Sequence, residues 1–488
     1  MKFSFRYILL IALFVRLWGI WFSLPYLYHP DEPKLVRLSV KLIATSSLNP
    51  GYFFYPSFPF YIHSFLYSLF ILPFTGRERL GMLYLQNPTF FYLLSRLFNG
   101  VIGALTLIPL GKIFRELGGK RIFYPLIFFT LSLLPVEISH YATVDTLLTF
   151  FVTWSLYFLL RGIREKKDNF LFYASLFTGV AGAVKYPGFI LLLPLLVVLI
   201  GEKKFRLLPL LLLPFFVFLL LSPYTILDFP GFKRDLFRLL YFSRQGWAGR
   251  ESPLVYLHTF TLGLGVFLFP LALWGMVREA KSFLSSVLLL FSLSYFLLVM
   301  GGRLYFSRFL LPLFPPLIIF SALAWEKLLL KVGDRSRVGW TVFLLIPTVL
   351  PTLFYLLILP SPDPRTRALV WIRENIPRGT KIALERYTPP VNVVPGYVEW
   401  RVKKGEYEVF PVIHRERLEN YIRKGVEYIV ISQSMFKRWG RREEGRRFYE
   451  ELGKKGILVK EFPSSRLWTG LEMERPWIRI YRLKKDIS

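Results

Sequence analysis

The first 360 residues of the chain alternate long apolar runs with short polar clusters. A helix that crosses a membrane needs about 17–25 mostly apolar residues, and somewhat fewer where loops dip inward. A further apolar segment, 56–75, either crosses the membrane or does not. Its path determines on which side of the membrane all later loops lie. Apart from that segment, the pattern predicts about eleven transmembrane helices: 7–25, 89–111, 122–140, 143–161, 170–186, 188–201, 207–223, 256–276, 283–300, 308–326 and 339–359.

Lys and Arg in the short connections predict the orientation, because such residues are retained on the cytoplasmic side of a membrane. If 56–75 crosses, all the basic connections lie outside. If it does not cross, five of them share the cytoplasmic side with the N-terminus: 111–121, 161–169, 201–206, 277–282 and 326–337. We therefore expect 56–75 to lie in or dip into the outer interface, where aromatic residues are favourable.

Four features then share the outer face, namely the loop 26–88, the turn 139–145, the loop 224–255 and the chain from about residue 359 onward. This last part breaks the apolar pattern. It alternates helical stretches at 365–377 and 415–425 with apolar strands at 381–385, 426–432 and 477–483. We expect an all-α polytopic membrane domain, 1–359, followed by a small extracytoplasmic α/β or α+β domain, 360–488.

Composition agrees with a multi-pass protein of the plasma (inner) membrane. The 488 residues are 54% hydrophobic and 18% aromatic, and the mean hydropathy is +0.44. The net charge of +30 does not indicate nucleic acid, because Lys and Arg gather between apolar runs and in the tail. The chain has no Cys, which excludes disulfides and thiolate metal sites. The scarcity of Cys, Gln and Asn beside many Lys, Arg and Glu is a weak sign of a thermophile.

Two adjacent carboxylates, Asp31 and Glu32, follow the first apolar run and a His29-Pro30 step. One interpretation is structural: Asp31 caps an interfacial helix running to about residue 44, on which Lys34 belongs to a basic stripe that meets lipid headgroups. The other is catalytic, with the carboxylates acting on a substrate. This segment alone leaves both open.

Other ionisable residues fall at the outer ends of predicted spans, where they are costly and indicate functional sites. Asp145 begins one span and Lys185 lies where another breaks at Pro187. Helix capping for Asp145 and snorkelling for Lys185 are the alternatives. Four arginines also lie at this face, and lipid contact or solvation explains each of them when taken singly: Arg244, Arg250, Arg303 and Arg308.

Together these residues combine acids with several cations at one membrane face. Cations stabilise a phosphate leaving group, and a carboxylate accepts the proton of an attacking hydroxyl. A phosphate at the interface implies a lipid-linked substrate.

The chain resembles the membrane glycosyltransferases of the GT-C fold, in particular the group of protein O-mannosyltransferases and lipid A aminoarabinose transferases. The resemblance covers most of residues 1–380 and rests on motifs taken in order: "HPDEPKLVRLSV", "FFYPSFPFYI", "SHYATVDTLLTFF", "GAVKYPGFILLLP", "SRFLLPLFPPLI" and "DPRTRALVWIRENIPRGTKI".

The resemblance implies roles for individual residues. The first acid of the family pair matches Asp31, the expected base or acceptor-site carboxylate, with Glu32 beside it. Lys34 and Lys185 are expected near the donor phosphate, and Arg244 is a weaker match to a later arginine. Apart from the resemblance, the position of other residues at the outer face assigns Arg303 and Arg308 to the phosphate, and His29, Tyr55, Asp145 and Tyr186 to supporting positions.

One departure concerns metal binding. Where the aminoarabinose transferases have Glu-Lys-Pro, this chain has Phe54-Tyr55-Pro56. A metal ligand and a second phosphate-binding Lys are thus missing, which argues against a divalent ion and against a lipid A substrate. Metal ligands therefore stay unassigned, and no other cofactor is expected.

The expected function is transfer of a sugar from a polyprenyl-phosphate donor to an acceptor hydroxyl on a lipid, glycan or protein, with inversion. The rival is a transporter or flippase of a lipid-linked saccharide, whose signs would be charges near the bilayer midplane and internal repeats. Neither sign is clear, because the charges gather at the ends of spans.

Overall fold

A computed structural model describes residues 5–245, 254–392, 405–464, 471–472 and 475–484. The first part of the chain is helical: α1 (Phe5–Leu17), α2 (Glu32–Ala44), α3 (Phe58–Phe70), α4 (Leu72–Thr75), α5 (Arg77–Gln86), α6 (Thr89–Leu105), α7 (Leu107–Glu116), α8 (Phe123–Leu131), α9 (Leu133–Ser139), α10 (Asp145–Glu165), α11 (Asp168–Val184), α12 (Leu192–Gly201) and α13 (Leu213–Leu221). Two 3-10 segments, Tyr186–Leu191 and Phe205–Leu211, lead into the last two of these helices.

Helices continue to the end of the membrane part: α14 (Tyr224–Leu227), α15 (Phe229–Gln245), α16 (Leu254–His258), α17 (Leu268–Glu279), α18 (Phe283–Met300), α19 (Phe314–Leu328) and α20 (Asp334–Ile358). A π-helical segment, Thr259–Leu264, follows α16, and 3-10 segments at Ser307–Leu313 and Leu329–Lys331 flank α19.

Each of the eleven predicted spans contains helix in the described residues, although α1 ends at Leu17, before the end of the first predicted span at residue 25. Five of these helices are long and apolar enough to cross a membrane alone, and a sixth span is obtained if Leu254–Leu264 and α17, which are bent by 98°, count as one. The segments Tyr186–Gly201 and Phe205–Leu221 are apolar but shorter. The chain is therefore a multi-pass membrane protein, whereas the number of eleven spans stays a prediction.

The five basic connections lie at one end of this bundle, because polar contacts link them in a series. Glu116 pairs with Arg161 at 2.8 Å, and Asp168 pairs with Lys204. Glu279 pairs with Lys327, and the neighbouring Glu326 accepts a hydrogen bond from the backbone N of Lys120. This hydrogen bond joins the last two connections to the first. A common end for these five connections is what the predicted order of spans requires. That this end faces the cytoplasm stays a prediction.

The loop 26–88 is folded onto the membrane part by three short helices. An apolar cluster joins α2, α3 and α5 to the start of α6, with members such as Val36, Tyr67, Leu80 and Phe91 all buried. The 13-residue α3 is shorter than a spanning helix needs to be. This agrees with an interfacial position for 56–75, which nonetheless stays a prediction.

The C-terminal part is built on one mixed sheet of order β2-β1-β3-β5-β4. Strand β1 is parallel to β2 and β3, while β5 is antiparallel to β3 and β4. The strands and helices are α21 (Pro364–Asn375), β1 (Lys381–Leu384), β2 (Glu408–Pro411), α22 (Leu418–Arg423), β3 (Tyr428–Ser432), α23 (Gln433–Trp439), α24 (Glu443–Lys455), β4 (Gly456–Phe462) and β5 (Ile478–Leu483).

Two apolar clusters cover the two faces of this sheet. One contains residues of α21 such as Ile372, and the other residues of α22 and α24 such as Leu418 and Phe448. The three predicted strands and both helical stretches are present, whereas β2, β4, α23 and α24 were not predicted. The expected fold class, a helical membrane part followed by a small sheet-containing domain, is confirmed. The division at residue 359 stays a prediction, although α20 ends at Ile358.

Orientation can be tested by labelling, because the chain has no Cys of its own. Cysteines introduced near Arg164 and near Lys204 should react with a membrane-impermeant maleimide only from the cytoplasm. A cysteine introduced near Gly379 should react only from outside. Cytoplasmic labelling near Gly379 would refute the arrangement and the active-site location that depends on it.

Candidate active site

The centre of the candidate site is an ion pair between Asp31 and Arg308. Asp31 Oδ2 lies 2.9 Å from Arg308 Nη2, and both side chains are largely buried. Asp31 stands at the N-cap position of α2, yet its side chain makes no capping hydrogen bond. The capping interpretation of Asp31 is therefore wrong, since its carboxylate is turned to a cation on a distant part of the chain.

A second ion pair joins two other predicted residues. Lys185 Nζ lies 2.7 Å from Asp145 Oδ1, and only 12% of the Lys185 side chain is exposed. Neither helix capping nor snorkelling describes this pair. Lys185 Nζ also lies 4.4 Å from the ring centroid of Phe309, the residue after Arg308, so the two ion pairs are neighbours.

The break that presents Lys185 follows from local sequence. Pro187 has no backbone N–H to donate to the carbonyl of residue 183, and its ring clashes with that carbonyl, so α11 cannot continue through it. The helix ends at Val184, and Lys185 is extended. The chain then turns back so closely that a Cβ on Gly188 would lie 2.4 Å from the Ala181 backbone. Glycine is required there, and the tight return directs Lys185 inward.

Lys34 lies at the open side of the cluster. Its Nζ is 3.7 Å from Asp31 Oδ1, and 43% of its side chain is exposed. Among the described residues the cluster thus brings the carboxylates of Asp31 and Asp145 together with three cations, Arg308, Lys185 and Lys34. Lys34 is accessible to a ligand from solvent or from the headgroup region.

Electrostatics keep Asp31 ionised. Burial by itself raises the pKa of this carboxyl, but the nearby cations, Arg308 foremost, lower the pKa to about 2. His29 supports the loop: its Nδ1 accepts a hydrogen bond from the Asp31 backbone N at 3.3 Å, and burial lowers its pKa. Burial, reinforced by the charge of Asp31, raises the pKa of Tyr55 and keeps that side chain a neutral phenol.

Glu32 has a different environment from Asp31. Its two carboxylate oxygens each lie 2.8 Å from a guanidinium nitrogen of Arg96, and one of them also accepts a hydrogen bond from the Ala142 backbone N at 2.9 Å. Both side chains are fully buried. The expected pair of catalytic carboxylates is therefore divided, with one at the cation cluster and one in a closed ion pair.

Tyr186 holds the segment 52–56, in which the Glu-Lys-Pro motif of the aminoarabinose transferases is absent. Its hydroxyl donates to the Phe53 backbone O at 2.7 Å, and the Phe53 backbone N donates to Asp235 at 3.0 Å. The rings of Tyr52 and Phe54 stack beside this anchor, with their centroids 5.2 Å apart. The motif position thus presents aromatic surface rather than charge.

Two of the predicted arginines lie outside the cluster. Arg244 at the end of α15 and Arg303 are exposed, and neither forms an ion pair with Asp31 or Asp145 within the described part of the chain. The Arg303 backbone N donates to Ser243 O at 2.8 Å, which holds their two segments together. Arg250, with part of the loop 224–255, lies outside the described residues.

The structure adds residues that the sequence did not single out. Glu472, from the connection between β4 and β5, pairs with Arg308 at 2.7 Å, and Glu137 binds the backbone N atoms of Leu471 and Glu472. Glu137 and Arg96 are ionisable residues within apolar runs, a signal that could have found them. No local pattern distinguishes Glu472.

The donor set does not fit a divalent ion held by the protein alone. No group of three or more His, Asp or Glu side chains converges among the residues described here. Asp31 is committed to Arg308, and Phe54 replaces the acid expected at its position. No chemical step is therefore assigned to a metal.

The closed pair of Glu32 and Arg96 generates a stability prediction. Glu32→Gln leaves the Arg96 guanidinium buried without a counter-charge, which costs about 3–5 kcal/mol. The unfolding temperature of the purified protein in detergent should fall clearly. Asp31→Asn is the matched control and should change it little, because Arg308 keeps Glu472. An unchanged unfolding temperature in Glu32→Gln would contradict this structural role.

Comparisons with known proteins bear on the fold. A family model described as dolichyl-phosphate-mannose-protein mannosyltransferase matches residues 92–226, which include Asp145 and Lys185. A search of curated proteins finds no match.

Two kinds of solved structure match along most of the chain. ArnT from Cupriavidus metallidurans bound to undecaprenyl phosphate superposes with a TM-score of 0.53 at 15% identity, covering 97% of both chains. The archaeal oligosaccharyltransferase AglB from Archaeoglobus fulgidus, in complex with an inhibitory peptide and a dolichol-phosphate, superposes with a TM-score of 0.55 at 14% identity, covering 93% of this chain and 72% of that one. The resemblance inferred from the motifs is confirmed: the chain has the GT-C fold of these membrane glycosyltransferases.

Proposed function

We propose that the protein transfers a sugar from a polyprenyl-phosphate donor to an acceptor hydroxyl at the outer face of the membrane, with inversion at the anomeric carbon. The matched family model describes an enzyme that uses a lipid-phosphate-linked mannose. The two structural neighbours were solved with undecaprenyl phosphate and with a dolichol-phosphate. These comparisons support a glycosyltransferase and give no support to a flippase.

The observation that carries the proposal is the cluster of three cations, paired with the carboxylates of Asp31, Asp145 and Glu472, at the ends of apolar helices. Arg308, Lys185 and Lys34 lie around Asp31 at the end of the bundle opposite the basic connections. Cations in a partly buried site stabilise the charge that develops on a departing phosphate. The apolar helices beside them supply a medium for a prenyl chain.

The reaction follows from this arrangement. The acceptor oxygen bonds to the anomeric carbon, and the bond from that carbon to the phosphate oxygen breaks, leaving its electron pair on the lipid phosphate. The acceptor proton passes to the Asp31 carboxylate. Because displacement is direct and uses one base, no covalent sugar–enzyme intermediate forms and the configuration inverts.

Asp31 is a poor base while Arg308 holds it, because its pKa is about 2. An arriving phosphate competes for the Arg308 guanidinium and weakens that hold. The proton affinity of Asp31 then rises when the donor is bound. Asp31 therefore becomes an effective base only in the complex with the donor. We assign proton transfer to Asp31, and to Glu32 the anchoring of the loop.

The donor and the bilayer are the expected partners, with a lipid, glycan or protein as acceptor. The proposed location is the plasma (inner) membrane, with the N-terminus cytoplasmic and the C-terminal domain extracytoplasmic. A lipid-carried sugar already resides in the membrane, so no nucleotide sugar has to cross it.

Asp31→Asn tests the base. The substitution preserves size and removes the charge, so the fold and donor binding should survive. Transfer should fall by a factor of about 10² or more, the usual scale of general-base catalysis. The measurement is turnover with a synthetic polyprenyl-phosphate sugar, compared with Glu416→Gln, a change to an exposed ion pair of the C-terminal domain. Near wild-type turnover in Asp31→Asn would remove Asp31 from the mechanism.

Lys185 tests the phosphate site. Lys185→Ala should weaken polyprenyl phosphate binding more than Lys185→Arg, because charge is the first requirement and geometry the second. The loss should be partial, since the apolar chain contributes independently.

Asp145→Asn is the control for this measurement. It breaks the same ion pair but keeps the cation, so donor affinity should be kept or increased. Unchanged affinity in Lys185→Ala would place the phosphate elsewhere.

A further inference from the structure

The C-terminal domain places a carboxylate on the principal cation of the candidate site. Glu472 Oε2 lies 2.7 Å from Arg308 Nη1, and its Oε1 accepts a hydrogen bond from the Arg308 backbone N at 2.8 Å. Only 8% of the Glu472 side chain and 10% of the Arg308 side chain are exposed. A charge-assisted contact at this burial is stronger than an exposed one.

The backbone beside Glu472 is held independently of its side chain. Glu137, itself fully buried, accepts hydrogen bonds from the backbone N atoms of Leu471 and Glu472 at 2.7 and 2.9 Å. Arg475 donates to Leu359 O, Ser361 O and Ser361 Oγ at 2.6–2.9 Å. The carboxylate can therefore leave Arg308 by side-chain rotation while these anchors remain.

Charge balance makes that rotation necessary for a phosphate. Arg308 already lies between two carboxylates, Asp31 on Nη2 and Glu472 on Nη1. A phosphate would be a third anion on one guanidinium in a site of low dielectric, where like charges repel strongly. Asp31 is needed to receive the acceptor proton, so Glu472 is the group that can be replaced.

We infer that Glu472 occupies the position of the donor phosphate on Arg308 and that the C-terminal domain thereby sets the affinity of the site for the lipid phosphate. The inference rests on the proposed function. The donor phosphate displaces the Glu472 carboxylate, and the returning carboxylate competes with the phosphate left on the lipid after transfer. Glu472 is thus an affinity-determining residue supplied by the soluble domain.

The test measures the affinity of the purified full-length protein for undecaprenyl phosphate. Glu472→Gln keeps the shape and an acceptor oxygen for Arg308 but removes the competing charge. Binding should tighten about tenfold or more, the scale of coupling between close charges. Glu461→Gln is the matched control, because Glu461 lies on β4 and pairs with Arg479 at the surface. It should leave the affinity unchanged.

A double-mutant comparison separates competition from general effects on folding. In an Arg308→Gln background the carboxylate has no cation to occupy, so adding Glu472→Gln should not tighten binding. The same tightening in both backgrounds would overturn the inference. If Glu472→Gln does not fold, Glu472→Asp replaces it. The shorter side chain cannot span the present contact, so tighter binding is again expected.

The outcomes distinguish the inference from the proposed function. Failure of the wild-type protein to bind either undecaprenyl phosphate or dolichyl phosphate would refute the proposed donor class. If the wild-type protein binds and Glu472→Gln binds equally or more weakly, competition is refuted. Glu472 would then be a residue that supports Arg308.

Discussion

The buried ion pair between Glu32 and Arg96 is the constraint on which the rest of the site depends. Besides holding Glu32 with two hydrogen bonds, Arg96 donates to Ile20 O and Phe22 O at 2.7 and 2.9 Å. It therefore joins the end of the first predicted span to the start of α2 and to α6. The Glu32 contact with the Ala142 backbone N adds the turn before α10. Because these elements are fixed, the side chain of Asp31, the residue before Glu32, points to Arg308.

The same physics explains why two adjacent acids have different roles. Successive residues at the start of a helix point about 100° apart. Glu32 is turned into the protein, where only a complete set of hydrogen bonds allows a charge to be buried. Asp31 is turned to a cluster in which one partner, Lys34, is half-exposed and another, Arg308, is shared with Glu472. A shared cation can be taken over by a ligand, whereas a saturated one cannot.

The C-terminal domain contacts the loop that carries the candidate site and one of its cations. Tyr28, three residues before Asp31, bonds through its hydroxyl to Thr366 at 2.8 Å, and its ring carries the Arg365 guanidinium at 4.0 Å from the centroid. The start of α21 therefore supports the loop that holds the carboxylates Asp31 and Glu32. Glu472, from a later part of the same domain, contacts Arg308. Contacts from both ends of the domain restrict how it can move relative to the membrane part.

The sequence alone determined the hydrophobic periodicity and the grouping of the basic connections at one end of the bundle, since both depend on local composition. It therefore predicted that the apolar segments are helical, the sheet-containing tail, and Asp31, Lys34, Asp145, Lys185 and Arg308 as candidates. It missed β2 and β4, which are short or mostly exposed strands without a clear apolar alternation. Only the tertiary structure decided which candidates meet. It paired Asp31 with Arg308 across 277 positions of the chain, withdrew Glu32 into contact with Arg96, left Arg244 and Arg303 at the surface and brought in Glu472. Such pairings depend on the approach of distant segments and on desolvation, and no local pattern encodes either.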